Sequence, residues 1–408
     1  MHLLKFPLLL APLAVFAAAP QASVQTASVD SYGDVTVSYQ VDAESIVTAD
    51  FVYDGEPIDP SKLEKVSGDI NVPVVSGKVF TFRWLASLDL PNVVSDGQKL
   101  SVRLTAWTLS DPPDYAVVEL LTNAAHKVRY YASADYLPGG LLANPAYRTV
   151  KMPFRRIHAT GVTWQMGSLG ETGRVSDNEY PHMVTMDHDY YLAVFELTKG
   201  QYSSLIDGGG RGGDQSFLGP EWYYRPIERA PLNGIRGTNA VPDKTVFVRA
   251  RLHGVADMDL PTEAEWEFAA KAGHYDNENP DGSPYHPSNT NDQILALACF
   301  NTNITFSVGS LKPNSWGLYD MQGNIAEMCI DFYQKDVSMY FDGAANVSTT
   351  QEHKTRDNAD NTVNRASKGG DYTSKYNGVR PSYRTAWEEN QYRTQYGYRM
   401  RFYGPLAK

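Results

Sequence analysis

Apolar and polar side chains alternate along the first quarter of the chain. In the segment 35–41, VTVSYQV, every second residue is apolar. Alternation with a period of two is typical of a strand that buries one face. Similar runs, separated by turn-forming residues, lie at 46–53, 79–85, 100–107 and 116–121. Strands at this spacing over about 100 residues predict an N-terminal all-β, immunoglobulin-like sandwich at 23–125.

Turn-forming residues dominate the next segment. Leu137-Pro138-Gly139-Gly140 and Asn144-Pro145 interrupt any regular pattern, because proline and glycine terminate strands and helices. The sequence therefore predicts a linker at 126–153 and a second domain at 154–408.

Two capping boxes mark helices in the second domain. Thr198 with Gln201, and Thr262 with Glu265, have the spacing at which each side chain satisfies a backbone N–H of the other residue. The second helix is expected to end at Gly273. Its glutamates lie near the positive N-terminal end, which explains them structurally. A general acid–base pair among them is the less favoured alternative.

The first helix is expected to place Tyr202, Leu205 and Ile206 on one face and to stop at Gly208. The glycine-rich run 208–213 lacks the Gly-Lys-Ser/Thr end of a phosphate-binding loop, and no strand leads into it. It is interpreted as a flexible loop.

The charge balance excludes one class of function. The 408 residues include 36 basic and 47 acidic side chains, for a formal net charge of −11. Binding to nucleic acid needs clustered cations, so a general nucleic-acid binder is not expected. Two cysteines exclude a disulfide-dense scaffold and a cage built of thiolates alone.

The first 22 residues have the layout of a secretory signal peptide. A cation at Lys5 precedes an apolar run, and the small residues Ala17, Ala18 and Ala19 follow it. Cleavage is expected after Ala19 or Ala22. A retained membrane anchor is the weaker alternative, because the run has about 12 residues and a span needs about 20. The mature chain is therefore expected to lack a transmembrane segment and to be exported to the periplasm, the cell surface or the medium.

Seven blocks of the second domain, in order, resemble formylglycine-generating enzymes and sulfatase-modifying-factor-like proteins. They are Gln165 to Ser168, Glu196 to Tyr202, Leu260 to Gly273, Val308 to Ser310 with Pro313 to Asn324, Lys368 to Tyr372, Arg380 to Arg384, and Gly397 to Met400. The resemblance implies an α+β, loop-rich fold that is similar to C-type lectins. It also implies oxidation of a sulfatase cysteine to formylglycine with copper and oxygen.

The copper site implied by the resemblance is missing. Family enzymes hold Cu⁺ between two thiolates after the Gly-Gly block, because soft sulfur selects the soft ion. Here the stretch from Asp371 to Arg384 contains no cysteine. Cys299 and Cys329 remain as a disulfide, as inert buried thiols or, less favoured, as replacement ligands. No catalytic residue is therefore assigned.

Two other metal sites are considered, one for calcium and one built from histidines. The resemblance implies Ca²⁺ at Gln322, Gly323, Ile325 and Glu327, with Arg384 or Arg399 as the alternative partner of the acid. If 325–332 is a strand, its even-numbered and odd-numbered side chains point to opposite sides. His182 and His188 could share a strand face, but no third ligand can be named, and solvated histidines are favoured.

Two functions remain from the sequence. The favoured one is an exported recognition protein, in which the stretch from Tyr372 to Arg401 lines the former active-site groove and binds a peptide, protein or glycan. The alternative is a sulfatase-modifying oxidase, with the family's ligands or unusual ones. The side chains expected to line the groove are Tyr372, Arg380, Tyr383, Arg384 and Trp387.

Overall fold

The computed structural model describes most of the chain from Ala19 onward. The described ranges are 19–121, 127–168, 173–174, 178–205, 220–236, 255, 257–273, 292–333, 347–348, 364–388 and 391–406. The predicted signal peptide, apart from its last residues, and the glycine-rich run 208–213 lie outside these ranges, as do Ile206 and Gly208.

Two sheets form the N-terminal unit. Its strands are β1 (Ala22–Val29), β2 (Val35–Val41), β3 (Ser45–Tyr53), β4 (Glu56–Pro57), β5 (Val66–Gly68), β6 (Pro73–Val74), β7 (Phe80–Trp84) and β8 (Leu100–Trp107), with a short helix α1 (Ala86–Asp89). One sheet has the order β1-β2-β7-β5; the other has β4-β3-β6, with β8 also paired to β3. The alternation in 35–41 is confirmed, because Val35, Val37, Tyr39 and Val41 are buried between the sheets.

The segment expected to be a linker contributes strands to the second unit. The strand found at 116–121 in the sequence is β9 (Tyr115–Glu119), and it pairs with β10 (Val128–Tyr131) and β11 (Lys151–Ile157). It does not pair with the sandwich strands. A period-two pattern predicts a strand but not its partner, and the prolines and glycines near Pro138 interrupt only part of the segment.

Hydrogen bonds from this segment tie the two units together. Arg129 Nη1 donates to the carbonyl oxygen of Ile70 at 2.6 Å. The backbone N–H of Tyr130 donates to the carbonyl oxygen of Asn71 at 2.7 Å. The hydroxyl of Tyr136 donates to Asp50 at 2.7 Å. The sandwich is therefore attached to the second unit through specific polar contacts.

The second unit is loop-rich, with short strands and helices. Its strands after β11 are β12 (Thr163–Met166), β13 (His182–Thr185), β14 (Tyr190–Ala193), β15 (Ala326–Phe332), β16 (Val347–Ser348), β17 (Asn364–Lys368), β18 (Arg384–Glu388), β19 (Tyr396–Gly397) and β20 (Arg401–Phe402). Its α-helices are α2 (Lys199–Leu205), α3 (Leu232–Arg236), α4 (Glu263–Lys271) and α5 (Asp292–Leu297). Its sheets have the orders β10-β9-β11-β14-β20, β12-β13-β16 and β18-β17-β15-β19.

Both predicted capping boxes are present. Gln201 N donates to Thr198 Oγ1 at 3.0 Å, and the Gln201 side chain accepts from Thr198 N. Thr262 and Glu265 repeat the arrangement at the start of α4. Helix α4 ends at Lys271, where Ala272 adopts a left-handed conformation just before Gly273.

Strand β15 separates two hydrophobic cores. Ala326, Met328 and Ile330 pack into one core, whereas Cys329 packs into the other. The predicted alternation along this strand is therefore confirmed. The odd-numbered side chains face helix α4, since Glu327 contacts Trp266 and Asp331 accepts from the N–H of Glu263.

Candidate functional site

Basic side chains from the C-terminal part of the chain bind the three carboxylates of α4. The pairs are Glu263 with Arg384 (Oε2 to Nη2, 2.7 Å), Glu265 with Arg401 (3.2 Å) and Glu267 with Lys368 (2.7 Å). All six residues are buried. Buried charges are tolerated when they are paired and hydrogen-bonded. These carboxylates therefore act as scaffold, and a general acid–base role is not supported.

The electrostatics of Glu267 follow from this pairing. Burial alone would raise the pKa of its carboxyl, but Lys368 and Lys271 outweigh burial and hold the pKa at about 2. The backbone N–H of Gly167 donates to the same carboxylate at 2.8 Å. Glu267 is therefore ionised at neutral pH and fully engaged.

Arg399 and Glu327 form the central ion pair of the domain. Arg399 Nη2 lies 2.7 Å from Glu327 Oε1, and Arg399 Nε contacts both carboxylate oxygens, at 3.0 and 2.9 Å. The indole N–H of Trp266 donates to the same carboxylate. Of the two arginines considered as partners of Glu327, the structure selects Arg399.

Two further carboxyl groups are buried beside this pair. Asn324 Nδ2 donates to Glu196 at 2.6 Å, and the N–H of Gly309 donates to Asp320 at 2.7 Å. Burial raises the pKa of Glu196 well above its ordinary value, and the nearby Asp320 and Glu327 raise it further. Burial also raises the pKa of Asp320, to about 6. Burial therefore shifts both carboxyl groups towards the protonated form.

Calcium at Gln322, Gly323, Ile325 and Glu327 stays a prediction, and the one carboxylate that it would use is already engaged. Glu327 has its oxygens on Arg399 and Trp266, so its charge is already compensated. Ile325 donates its N–H to Glu196. The remaining two positions have structural roles. Gln322 Nε2 donates to the carbonyl of Val379 at 3.1 Å, and Gly323 lies so close to Cys299 that a Cβ would be 2.1 Å from its carbonyl oxygen. No group of three or more His, Cys, Asp or Glu side chains in the described ranges is arranged to hold a metal ion.

The two cysteines lie inside the protein as separate side chains. Cys299 and Cys329 are free and buried, so the disulfide alternative is wrong for this structure. Burial raises the pKa of Cys299 to about 11 and raises that of Cys329 well above its ordinary value. Copper(I) binds thiolates, so a replacement copper site would have to displace both thiol protons, and it stays the less favoured alternative.

The histidines do not form a metal-binding pair. His182 Nδ1 lies 2.9 Å from the carbonyl oxygen of Tyr180, whereas His188 Nε2 lies 2.9 Å from Glu265 Oε1. His188 lies beyond the end of β13, so the two do not share a strand face as suggested. Each has its own partner in the scaffold.

The arginines expected to line the groove are buried. Arg380 forms a bidentate pair with Glu179, with both distances at 2.7 Å, and Arg384 pairs with Glu263. Neither guanidinium is available to a ligand. The sequence could not reveal this, because Glu179 is 201 positions from Arg380. The aromatic residues expected beside them, Tyr372, Tyr383 and Trp387, are partly exposed.

Other side chains form an exposed surface around Tyr372. We define the aromatic–basic surface as Tyr372, Tyr392, Arg393 and Arg229. Tyr372 donates its hydroxyl proton to Thr394, next to Arg393, and the N–H of Arg229 donates to the carbonyl of Arg393 at 2.8 Å. Tyr392 is 72% exposed, and both arginines are exposed. Sequence reasoning missed Arg229, because no local pattern links it to this distant segment.

A separate cavity of about 110 Å³ lies at the junction of the two units. Its inner wall includes Phe51, Phe82 and Val117. Two basic residues at its wall are engaged, because Arg129 donates to backbone carbonyls and Lys151 lies 3.5 Å from Glu119. The cavity is a crevice between the units.

The fold and the site define a class of protein. It is a loop-rich domain that is stabilised by buried ion pairs, and its described residues include no pair of thiolates. The chain belongs to the family of sulfatase-modifying factor enzyme 1-like domains, whose model matches residues 156–401. No helix within the described ranges has the length and apolar character needed to cross a membrane.

Individual relatives share only part of the chain. It is 34% identical over 234 residues to the serine/threonine-protein kinase pkn1 of Chlamydia pneumoniae, covering 54% of this chain and 34% of the kinase. It is 25% identical over 262 residues to the chaperone protein LppX of Paenibacillus barcinonensis, covering 54% and 82%. The chain thus spans about a third of the kinase it matches. Among solved structures, Treponema denticola variable protein 1 superposes with a TM-score of 0.46 at 19% identity, covering 62% of this chain and 96% of that one.

Proposed function

We propose that this protein is an exported recognition protein that binds an acidic, extended segment of a partner protein through the aromatic–basic surface. The observation that carries the proposal is the difference in burial among the arginines. Arg380, Arg384 and Arg399 are buried in ion pairs, whereas Arg229 and Arg393 are exposed beside two tyrosines. The family scaffold is retained, and the two exposed arginines lie outside its buried ion pairs; Arg393 Nε donates to the neighbouring Gln391 at 2.8 Å.

The chemistry of the surface favours carboxylates. A guanidinium binds a carboxylate through two parallel hydrogen bonds, and tyrosine offers a large contact area at low entropic cost. Glu228, the acidic neighbour of Arg229, is already bound by Lys199 at 3.0 Å. Glu388, the acid next along this segment, accepts a hydrogen bond from Gln391. The two exposed guanidinium groups therefore supply the positive charge of the surface, on a chain whose net charge is −11.

The N-terminal unit has a supporting role in this proposal. In it, the two packed sheets serve as an immunoglobulin-like spacer, and the apolar leader, cleaved after Ala19 or Ala22, directs export. Hydrogen bonds from Arg129 and Tyr136 hold the spacer against the recognition domain.

The test is fluorescence anisotropy with labelled peptides that differ only in charge: glutamate–serine, serine-only and lysine–serine. The glutamate–serine peptide is expected to bind, and its affinity is expected to fall roughly tenfold or more in Arg393→Glu and in Tyr392→Ala. Lys78→Glu, which reverses the charge of an exposed cation in the N-terminal unit, is the matched control and is expected to bind normally. Equal binding of all three peptides, or equal loss in the control, would overturn the proposal.

The oxidase alternative has its own measurement. We expect no aldehyde when the protein is incubated with Cu⁺, oxygen, a reductant and a cysteine-containing sulfatase peptide. Aldehyde formed by the wild type and lost in Cys329→Ser would establish the oxidase and remove the recognition proposal as the main function.

A further inference from the structure

The first strand of the sandwich is an unusual edge. Strand β1 lies at the end of its sheet, and its six residues Ser23 to Ser28 are all exposed. The strand, ASVQTASV, contains no charged residue and no proline. Natural edge strands are generally short, charged or interrupted by proline, because an open edge can pair with another chain. Strand β1 has none of these three features, and the protective device that it does carry is a bulge at Gln25.

Several other edge strands in the described ranges are protected in the expected ways. Strands β4 and β6 have two residues each, and β5 has three. Strand β8 carries Arg103, and β18 carries Arg384 and Glu388. The length and neutrality of β1 therefore distinguish it from these edges.

A bulge in the centre of β1 sets which side chains share a face. The pairing with β2 shifts between Val24 and Thr26, so that Gln25 is an extra residue. As a result, the four apolar residues of β1 all lie opposite buried residues of β2, and the serines lie opposite polar ones. The apolar pairs are Ala22 with Val41, Val24 with Tyr39, Ala27 with Val37, and Val29 with Val35.

This arrangement makes the strand symmetric about its centre. Read from either end, β1 has an apolar residue, a serine, an apolar residue and then a polar one. The bulge gives the faces the same symmetry, since the first and third residues from each end share the inner face. When a second copy of β1 runs antiparallel to the first, residues of the same polarity and on the same face therefore lie opposite each other.

We propose that β1 pairs antiparallel with β1 of a second copy of this chain, around a two-fold axis between Gln25 and Thr26. Isologous interfaces of this kind bring the same patch of both copies together. The register places Ser23 of one copy opposite Ser28 of the other, and Val24 opposite Ala27. The partly exposed inner face, where Val24 is 39% exposed, then gains apolar neighbours from the second copy.

Charge also favours a second copy at this edge. Two chains of net charge −11 repel each other at long range, so a neutral strand is the suitable place for contact. Added salt screens that repulsion. The dimer is therefore expected to become tighter as ionic strength rises, unlike a complex held by opposite charges.

Cysteine cross-linking tests the register directly. In Ser23→Cys/Ser28→Cys, each new thiol lies opposite its counterpart in the second copy, and oxidation is expected to give a covalent dimer. Ser23→Cys and Ser28→Cys alone place each thiol opposite a serine and are the matched controls. A bridge within one chain is excluded, since five residues of strand span roughly 16 Å and a disulfide needs Cα atoms within about 7 Å. The native thiols are buried and do not compete.

The oligomeric state of the purified full chain gives the second test. Sedimentation analysis is expected to show a concentration-dependent dimer, and Thr26→Lys is expected to weaken it roughly tenfold or more, because it places like charges at the two-fold axis. Thr81→Lys changes an exposed threonine of the same sheet, away from the edge, and is expected to leave the dimer intact. A monomer from micromolar to millimolar concentration, efficient cross-linking of either single variant, or a dimer unaffected by Thr26→Lys would overturn the proposal.

Discussion

The guanidinium of Arg399 and the carboxylate of Glu327 face each other inside the domain, with Nη2 of the arginine 2.7 Å from Oε1 of the glutamate. The other donors of Arg399 reach the carbonyl oxygens of Ala193, Val194 and Tyr319. One side chain therefore joins the C-terminal segment to β15, to the end of β14 and to the loop before β15. Without this arginine, a buried carboxylate and three carbonyls would lose a partner.

Arg399→Met is expected to lower the free energy of unfolding by about 3–5 kcal/mol, because it leaves Glu327 as an uncompensated buried charge. Urea denaturation followed by tryptophan fluorescence measures the loss. Arg399→Met/Glu327→Leu removes both charges and is expected to recover part of the stability. A single variant within about 1 kcal/mol of the wild type would show that the pair is not central.

Asp320 makes the folded state more stable at acidic pH than at neutral pH. Burial raises its pKa from 3.8 to about 6, so the folded state binds a proton more tightly than the unfolded chain does. The component is fully present below pH 3.8 and is lost as the pH rises to 6. Its size is about 3 kcal/mol, from roughly 1.4 kcal/mol for each pKa unit.

Asp320→Asn is therefore expected to be more stable than the wild type above pH 6 and to approach it near pH 4. The asparagine oxygen can still accept the N–H of Gly309. Thermal unfolding of both proteins across this range gives the difference curve. A constant difference at all pH values would contradict the proposed titration of Asp320.

Glu267 makes the folded state more stable at neutral pH than in acid. Its pKa of about 2, against 4.5 for an ordinary glutamate, means that its contribution is fully present above pH 4.5 and is lost as the pH falls to 2. Glu267→Gln removes this acid dependence. At neutral pH it is expected to cost about 3–5 kcal/mol, because Lys368 is buried and loses its carboxylate. Unfolding curves that keep the acid dependence in the variant would assign it to another group.

Local features of the fold could be predicted from the sequence because their partners are near in the chain. Thr198 and Gln201 are three residues apart, as are Thr262 and Glu265, so hydrogen-bond chemistry alone indicates both helix starts. The alternation along β15 also depends only on neighbouring positions. The partner of β9 was not predictable, because strand pairing is decided by tertiary packing.

The candidate site shows the same limit. The sequence offered Arg384 and Arg399 equally as partners of Glu327, and only the fold separates them. It also grouped Arg380 with exposed ligand-binding side chains, although Glu179 buries it in an ion pair. An arginine in a loop carries no local signal of burial, since its partner lies far away in the chain.

The two thiols provide the last prediction, and it bears directly on copper chemistry. Cys299 and Cys329 are buried, and burial raises the pKa of both, to about 11 for Cys299. An exposed thiolate attacks a thiol reagent, so both cysteines are expected to be unreactive in the native protein and to react stoichiometrically after denaturation. Tyr32→Cys, at a position that is 81% exposed, is the positive control and is expected to react at once. Labelling is followed by the absorbance of the released reagent. Rapid native labelling of either natural cysteine would mean that a sulfur reaches solvent as a thiolate, and copper binding by this domain would then have to be considered again.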